Sequence, residues 1–417
     1  MKITIRKTVL HILFLLLLLA ITKNFFDIIP DEWQMTNIAT ITLLIISIII
    51  LFLYQTNNVT YKFGGYILAL IICVVISAVQ EKNLFGQPIL MGILPQRTFL
   101  VALISYFPMR KLFSIKKINV EWFFHGLMYL GTLSCLLYIV QKAIILNGGP
   151  QFIYVASNFF GYFSGYRMYV GSSLIILSTI IATTYFLDTL KIKYFFHVLV
   201  GWITQLWITQ GRIEMITLII VTVICVFIQG KLNVKKMTYF AMMSIGLWLI
   251  TLTPVFQNIV AAIMKVDGAG RGTDTLTIRN LGRVMYWEQL NESSSTLIFG
   301  TGYPNFQFAP AFFRTGFTKN IFLTDNGFMT FFYIFGIIGV VIVLLMVIKY
   351  LRLSFKYLQS SGQVIPFLYM TSLVIVGYNI ILWYWELDGT FLLILMLCAL
   401  EQAIDNRKME VKRTISG

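Results

Sequence analysis

Apolar stretches separated by short polar connections follow one another along most of this chain. Twelve of them approach the length of a membrane-spanning helix, since about 20 helical residues cross the hydrocarbon core of a bilayer. The predicted spans are residues 8–22, 37–54, 64–80, 88–107, 121–144, 168–187, 194–209, 213–230, 237–256, 327–348, 364–383 and 387–402. The stretches are continuous rather than alternating, so the pattern predicts an all-α polytopic membrane protein of about twelve transmembrane helices.

One long polar interval, residues 257–325, breaks this pattern between the ninth and tenth predicted spans. We expect it to be a large outer loop with short helices, because 276–290 has helical character and Asp274 precedes it as a candidate N-cap. The chain then divides into three regions. These are N-terminal spans, residues 1–208; a candidate catalytic region that frames the loop, residues 209–348; and C-terminal spans with a basic tail, residues 349–417.

Composition and charge agree with a membrane location. Hydrophobic residues make up 58% of the chain and charged residues 12%, whereas a soluble domain is about 25% charged. A net charge of +15 would suit a nucleic-acid partner, but the lysines and arginines follow apolar stretches at every second predicted connection. This is the positive-inside pattern, so we expect no nucleic-acid partner. The even span count places both termini on the same side, and the basic connections predict that this side is the cytoplasm. We expect 8–22 to be an uncleaved first span.

Three side chains of the predicted loop helix recur every fourth residue and therefore share one face: Arg279, Arg283 and Trp287. Two guanidinium groups on one face repel each other unless an anionic group lies near them. The planar fork of arginine suits phosphate, because it can bind two oxygens at once. The alternative is a solvated helix face with Glu288 nearby.

Two further arginines lie beside or within predicted spans. Arg212, between spans seven and eight, is either an anion contact in a water-filled cavity or an interfacial arginine paired with Glu214. Arg97 lies inside span four, where a charge is costly unless it faces a cavity or a partner. The alternative for Arg97 is a span broken at Pro95 near an interface.

Asp325 directly precedes span ten and has two interpretations. It is either the N-cap of that span or a general base at the membrane surface. The three histidines and four cysteines lie in or beside apolar stretches without ligand spacing, so we predict no metal site and no bound cofactor.

Four short motifs of the second half occur in an order that points to a family. They are Thr209-Gln210-Gly211-Arg212, Arg283-Val284-Met285-Tyr286-Trp287, Phe299-Gly300-Thr301-Gly302, and Asp325-Asn326-Gly327 followed by Tyr333, Gly336 and Gly339. Across 209–339 the chain resembles the bacterial O-antigen polymerase and ligase superfamily, which comprises the Wzy-type polysaccharide polymerases and their ligase relatives. The first half is similar in topology alone.

The resemblance implies an enzyme of the bacterial cytoplasmic membrane. Its substrate would be an oligosaccharide repeat unit linked through diphosphate to undecaprenol, polymerised at the outer face into O-antigen, capsular or exopolysaccharide. Metal-independent glycosyl transfer must stabilise the departing lipid diphosphate, a task we assign to Arg212 and Arg283, with Arg279 assisting. Asp325 would take the proton of the acceptor hydroxyl. The remaining candidate substrate-binding residues are Asn326, Arg97 and Trp287.

Other functions stay open at this point. The ligases of the superfamily usually have histidine where this chain has Asp325, so the acidic residue favours a polymerase over a ligase. A flippase or other transporter of the same lipid-linked unit would be expected to show two related halves, and the sequence has no such symmetry. A non-catalytic scaffold predicts that the arginines can be replaced without loss. Besides membrane lipid, a separate chain-length regulator protein could be a partner.

Overall fold

The computed structural model describes residues 32–53, 59–116, 118–153, 157–159, 166–168, 172–209, 211–229, 275–319, 321–379 and 387–416. The predicted spans 8–22 and 237–256, residues 257–274 of the predicted loop, and the candidate N-cap Asp274 lie outside these ranges. Within the described ranges the protein is helical apart from one short pair of antiparallel strands.

Eight helices and both strands precede the predicted loop in the described chain. They are α1 (Glu32–Leu53), α2 (Gly64–Phe85), α3 (Ile89–Ile93), α4 (Arg97–Lys116), α5 (Val120–Leu146), β1 (Ser157–Phe159), β2 (Tyr166–Met168), α6 (Ser172–Thr189), α7 (Ile192–Ile203) and α8 (Arg212–Ile228). A 3₁₀ turn at Leu94–Gln96 joins α3 to α4, and a π-helix at Thr204–Thr209 continues α7.

The remaining elements belong to the predicted loop and the C-terminal spans. They are α9 (Thr275–Leu290), α10 (Ser294–Phe299), α11 (Ala309–Phe312), α12 (Phe328–Ser361), α13 (Ile365–Asn379) and α14 (Leu387–Ser416). Short 3₁₀ turns lie at Phe313–Thr315, Phe317–Lys319 and Leu323–Asn326. The loop helix predicted at 276–290 is thus present as α9.

Five helical stretches of the described chain are long and apolar enough to cross a membrane. They are Gly64–Phe85, Ile89–Ser114, Val120–Leu146, Phe328–Ser361 and Gly389–Arg407. Shorter apolar helices occupy Asn37–Phe52, Ser173–Thr189, Ile213–Ile228 and Ile365–Gly377. These lengths and compositions support a multi-pass membrane protein. The count of twelve spans, their orientation and the outer position of the loop stay predictions.

Helix boundaries follow local capping and propensity. The Asn119 side chain starts α5 by accepting hydrogen bonds from the backbone N–H groups of Glu121 and Trp122. Glycine in the left-handed conformation ends two helices, at Gly86 after α2 and at Gly362 after α12. Because good helix formers continue beyond the apolar stretch, α12 extends past the predicted end at residue 348.

Helix packing joins the two halves of the chain. The C-terminal helix α14 packs mainly against α4, while α5, α6 and α7 pack against one another. α12 contacts α2, α13 and α14 as well as the loop helices α9 and α10. α12 is therefore the element that connects the loop to the membrane helices.

Arg110 departs from the positive-inside interpretation. We expected it in a cytoplasmic connection, but it lies within α4 and is 1% exposed. Its guanidinium group forms ion pairs with Glu401 (3.0 Å) and Asp405 and donates to the Gln402 side chain (2.9 Å). Its charge is therefore neutralised by α14, and it does not act only as a topological signal.

The same carboxylates bind the chain just before α2. Glu401 accepts hydrogen bonds from the backbone N–H of Lys62 (3.0 Å) and from the Tyr106 hydroxyl, and Asp405 pairs with the Lys62 ammonium (2.8 Å). We call these residues, with Arg110, the Arg110–Glu401 cluster. It ties α14 to α4 and to the start of α2 at one end of the bundle.

Candidate functional site

The loop helix α9 is held on α12 by a buried stripe. Gly282, Tyr286 and Leu290, spaced four residues apart, are buried. The Tyr286 hydroxyl donates to the Thr315 carbonyl (3.0 Å), and its ring lies 4.6 Å from that of Tyr333 on α12. Burial, together with the neighbouring Tyr333 and Asp325 side chains, raises the pKa of Tyr286 well above its ordinary value. Tyr286 is therefore a neutral anchor at neutral pH.

The predicted substrate face of α9 lies on the flank of this stripe. Arg279 and Arg283 are partly exposed, and Trp287 is 50% exposed with its ring 5.9 Å from that of Phe332. The Nε of Arg279 is itself buried and has no hydrogen-bond partner among the described residues. A buried donor without a partner is uncommon in proteins and indicates a site for water or a ligand.

The Asp325–Asn326 turn packs directly against α9. Asn326 is 1% exposed, and its Nδ2 donates to the Phe322 carbonyl (3.0 Å). A methyl group at Gly282 would lie 2.9 Å from both the Nδ2 and the Oδ1 of Asn326. The absence of a side chain at Gly282 leaves room for this approach, which brings the turn next to the residue that precedes Arg283. The Oδ1 of Asn326 is buried without a partner in the described part of the chain.

Asp325 is not the N-cap of α12, so that interpretation is wrong. The N-cap is Gly327, with φ 54°, and no side chain caps the helix. Asp325 lies in the preceding 3₁₀ turn, where its backbone N–H donates to Phe322 (3.1 Å) and its side chain is partly exposed. Its carboxylate is therefore not needed to start the helix.

The Gly-x-Gly motif docks the loop on a break in α12. At Gly336, with φ 64° and ψ −166°, the helix bends sharply. The carbonyls of Tyr333 and Ile334 accept hydrogen bonds from the backbone N–H groups of Thr301 (2.8 Å) and Gly302 (3.3 Å). A side chain at Gly336 would overlap the backbone of Gly300. These glycines position the site without forming part of its chemistry.

The sequence analysis missed Glu81. The third span was predicted to end at residue 80, but α2 continues to Phe85, so that Glu81 is 1% exposed inside the bundle. A methyl group at Gly302 would lie 2.7 Å from the Glu81 Oε2. Neither carboxyl oxygen has a hydrogen-bond partner among the described residues. An acidic residue at the end of an apolar span was the available signal.

The end of α2 is also tied to the loop by amides. Gln80 donates to the Ser295 hydroxyl (2.8 Å). Gln87 donates to the Tyr303 carbonyl (3.0 Å) and accepts from the Asn305 backbone N–H (2.8 Å). The end of α2 therefore contacts α10, α10 contacts α9, and α9 contacts the Asp325 turn. We call this group of elements the loop end.

Arg212 and Arg97 are placed differently from the loop-helix arginines. α8 begins at Arg212, whose side chain lies outside the described part, and packs against α6 and α13. α13 also contacts the Asp325 turn. Arg97 starts α4 after the 3₁₀ turn that contains Pro95, and both residues lie within one helical stretch, Ile89–Ser114. Its guanidinium group binds the Asn37 Oδ1 (2.7 Å) and the Leu94 carbonyl (2.9 Å), so it already has internal partners.

The arrangement combines a partly exposed carboxylate with two arginines on an adjacent helix at the edge of an apolar bundle. Such a site can bind an anionic group and accept a proton. No cluster of three or more histidine, cysteine or acidic side chains suited to a metal ion occurs in the described ranges. Comparison with known proteins adds no relative: no family model matches the chain, and no curated protein matches it.

Proposed function

We propose that this protein is a polysaccharide polymerase of the bacterial cytoplasmic membrane. It would join undecaprenyl-diphosphate-linked oligosaccharide repeat units at the outer face, with both termini in the cytoplasm. The observation that carries the proposal is the packing of the Asp325–Asn326 turn against α9, the helix of Arg279 and Arg283. A carboxylate and two arginine side chains thereby lie on adjacent elements, which supports the roles of proton acceptor and phosphate binder proposed for them.

The reaction assigned to this site is a glycosyl transfer. The bond between the anomeric carbon and the diphosphate oxygen breaks, and a bond forms from that carbon to an acceptor sugar hydroxyl. The hydroxyl proton passes to Asp325, and undecaprenyl diphosphate leaves with the bonding electrons. Direct displacement inverts the anomeric centre. Arg283, Arg279 and Arg212 stabilise the charge that develops on the leaving group, while Asn326 and Trp287 contact the sugars.

Arg97 has a smaller part in this proposal than the sequence alone suggested. Its contacts with Asn37 and Leu94 hold the start of α4 near α1. We therefore expect Arg97→Lys to reduce stability more than polymer length. A substrate role for Arg97 would instead require that polymer length falls while the unfolding temperature is unchanged.

Deletion of the gene separates the candidate functions. The measurement is gel analysis of the surface polysaccharide together with the lipid-linked intermediates. Loss of the polymer ladder with single repeat units still reaching the surface is the result expected for a polymerase. Accumulation of long lipid-linked polymer would instead identify a ligase, and single units retained at the cytoplasmic face would identify a flippase. An unchanged ladder would contradict all three.

A further inference from the structure

A second group of polar side chains surrounds the π-helix. Lys142 lies on α5, inside a candidate membrane span, and is 1% exposed. Its ammonium group donates to the Trp207 carbonyl of the π-helix and lies 5.0 Å from the centroid of the Trp207 ring. Trp207 therefore covers the charge from one side.

No carboxylate neutralises Lys142 within the described chain. The ion pairs there involve Lys62, Arg110 and Arg314, and none includes Lys142. An ammonium group has three N–H donors, of which the Trp207 carbonyl takes one. A buried charge without a counter-charge is costly and inside a membrane span points to a functional role.

Gln205 supplies a second unused donor in the same π-helix. It is fully buried, and its Oε1 accepts a hydrogen bond from the Thr209 hydroxyl. Its Nε2 has no partner among the described residues. π-helical turns occur frequently at functional sites. The segment thus combines an uncompensated ammonium group with an unpaired amide donor.

The N-terminus of α8 does not contribute an anion-binding site to this group, although it lies close to the π-helix. Arg212 follows the π-helix closely, and a helix N-terminus favours anions. However, the Glu214 carboxylate folds back over Gly211, where it would overlap an added side chain. That helix end is already covered by an acidic group, so the argument rests on Lys142 and Gln205.

We propose that Lys142 and Gln205 form a second phosphate-binding site, which takes the diphosphate of the acceptor repeat unit, while the arginines take that of the departing donor. The assignment to the substrate rests on the proposed function. Binding would replace the Trp207 carbonyl on the ammonium group by phosphate oxygens and move the indole ring aside. The competing explanation is structural: Lys142 only satisfies a carbonyl freed at the π-helix.

Binding measurements on the full-length protein separate these explanations. The protein is placed in nanodiscs of phosphatidylcholine, and its affinity for farnesyl diphosphate is measured for the wild type, Lys142→Met and Lys142→Arg. We expect Lys142→Met to weaken binding about tenfold or more, since a charge-assisted hydrogen bond is lost, and Lys142→Arg to retain it. Lys82→Met removes a charge from an exposed lysine on α2 and should bind as the wild type does.

A second variant keeps the test valid if Lys142→Met does not fold. Gln205→Glu places a carboxylate in the same π-helix and should reduce farnesyl diphosphate binding by repulsion and by pairing with Lys142. Unchanged affinity in a folded Lys142→Met or Gln205→Glu protein would overturn the site. Displacement by phosphatidylglycerol but not by inorganic pyrophosphate would overturn the assignment to the substrate in favour of a lipid headgroup.

The result of the farnesyl diphosphate binding test can be separated from the result of the gene deletion that tests the polymerase proposal. If binding depends on Lys142 but gene deletion leaves the ladder unchanged, the phosphate site is supported and the polymerase proposal is rejected. If deletion abolishes the ladder but Lys142→Met binds farnesyl diphosphate normally, the polymerase proposal is supported and the phosphate site is rejected.

Discussion

The two ends of this helix bundle treat buried polar groups in opposite ways. In the Arg110–Glu401 cluster the guanidinium group and both carboxylates are ion-paired, and backbone and hydroxyl donors complete the set. At the loop end the Glu81 carboxyl, the Arg279 Nε and the Asn326 Oδ1 are buried without partners in the described chain. A completed network stabilises a fold, whereas an incomplete one has capacity left for a ligand.

The two ends can be compared directly because one helix, α2, contributes to both of them. α2 is joined to the Arg110–Glu401 cluster near its start and carries Glu81 near its end. The two ends differ in which charges are paired. The Arg110, Glu401 and Glu81 variants below alter this pairing, and the glycine variants alter the docking of the loop.

The largest expected effect is on stability, at the paired end. Arg110→Met leaves Glu401 buried without its main counter-charge, and removal of one partner of a buried ion pair costs about 3–5 kcal/mol. We expect a large drop in the unfolding temperature of the purified protein, measured by tryptophan fluorescence. Arg110→Met combined with Glu401→Met should recover part of it. An Arg110→Met protein as stable as the wild type would show that the pair does not hold the helices together.

A smaller loss is expected where the loop docks on α12. Gly336→Ala forces a side chain onto the backbone of Gly300 and into a left-handed conformation, so we expect about 2–3 kcal/mol of destabilisation and faster proteolysis of the loop. Gly362→Ala is the control, because Gly362 has a similar φ of 73° and open space around it. It should cost about 1–2 kcal/mol, from the left-handed conformation alone. Equal losses would contradict the docking role of Gly336.

The smallest stability effect is expected from the unpaired carboxyl. Glu81→Gln keeps the shape of a side chain that has no described partner, so the free energy of unfolding should change by less than about 1 kcal/mol. Glu401→Gln is the matched change at the other end and should cost about 1.5–3 kcal/mol, because hydrogen bonds to a charged group are lost. Chemical denaturation of the two variants side by side tests this. A larger loss of stability for Glu81→Gln than for Glu401→Gln would contradict the assignment of the paired and unpaired ends.

Parts of this architecture could be read from the sequence, because they depend on local patterns. The predicted helix at 276–290 and the observed α9 agree within one residue at its start, since apolar and polar positions alternate there with helical spacing. Pro95 marks the 3₁₀ turn at Leu94–Gln96, although the helical stretch Ile89–Ser114 continues through it. The C-terminal end of α12 was predicted too early in the chain, because hydropathy falls at residue 348 whereas helix propensity does not.

Other parts depend on contacts distant in the chain and could not be predicted. The pairing of Arg110 joins residues 291 positions apart, so the charge pattern alone placed this arginine in a connection. Glu81 was overlooked because its burial comes from Gly302 and the loop. The sequence alone could not decide whether Asp325 caps α12. The structure has Gly327, two residues after Asp325, as the N-cap.

The most direct test of the account exchanges the same chemical group at the two ends. Asp325→Asn and Asp405→Asn each replace one carboxylate by an amide, and polymer ladder length and unfolding temperature are measured for both variants. We expect Asp325→Asn to lose about 100-fold or more of polymerising activity with an unchanged unfolding temperature, whereas Asp405→Asn should unfold at a lower temperature but still make polymer. A full-length ladder from Asp325→Asn would contradict the claim that the loop end is the active end.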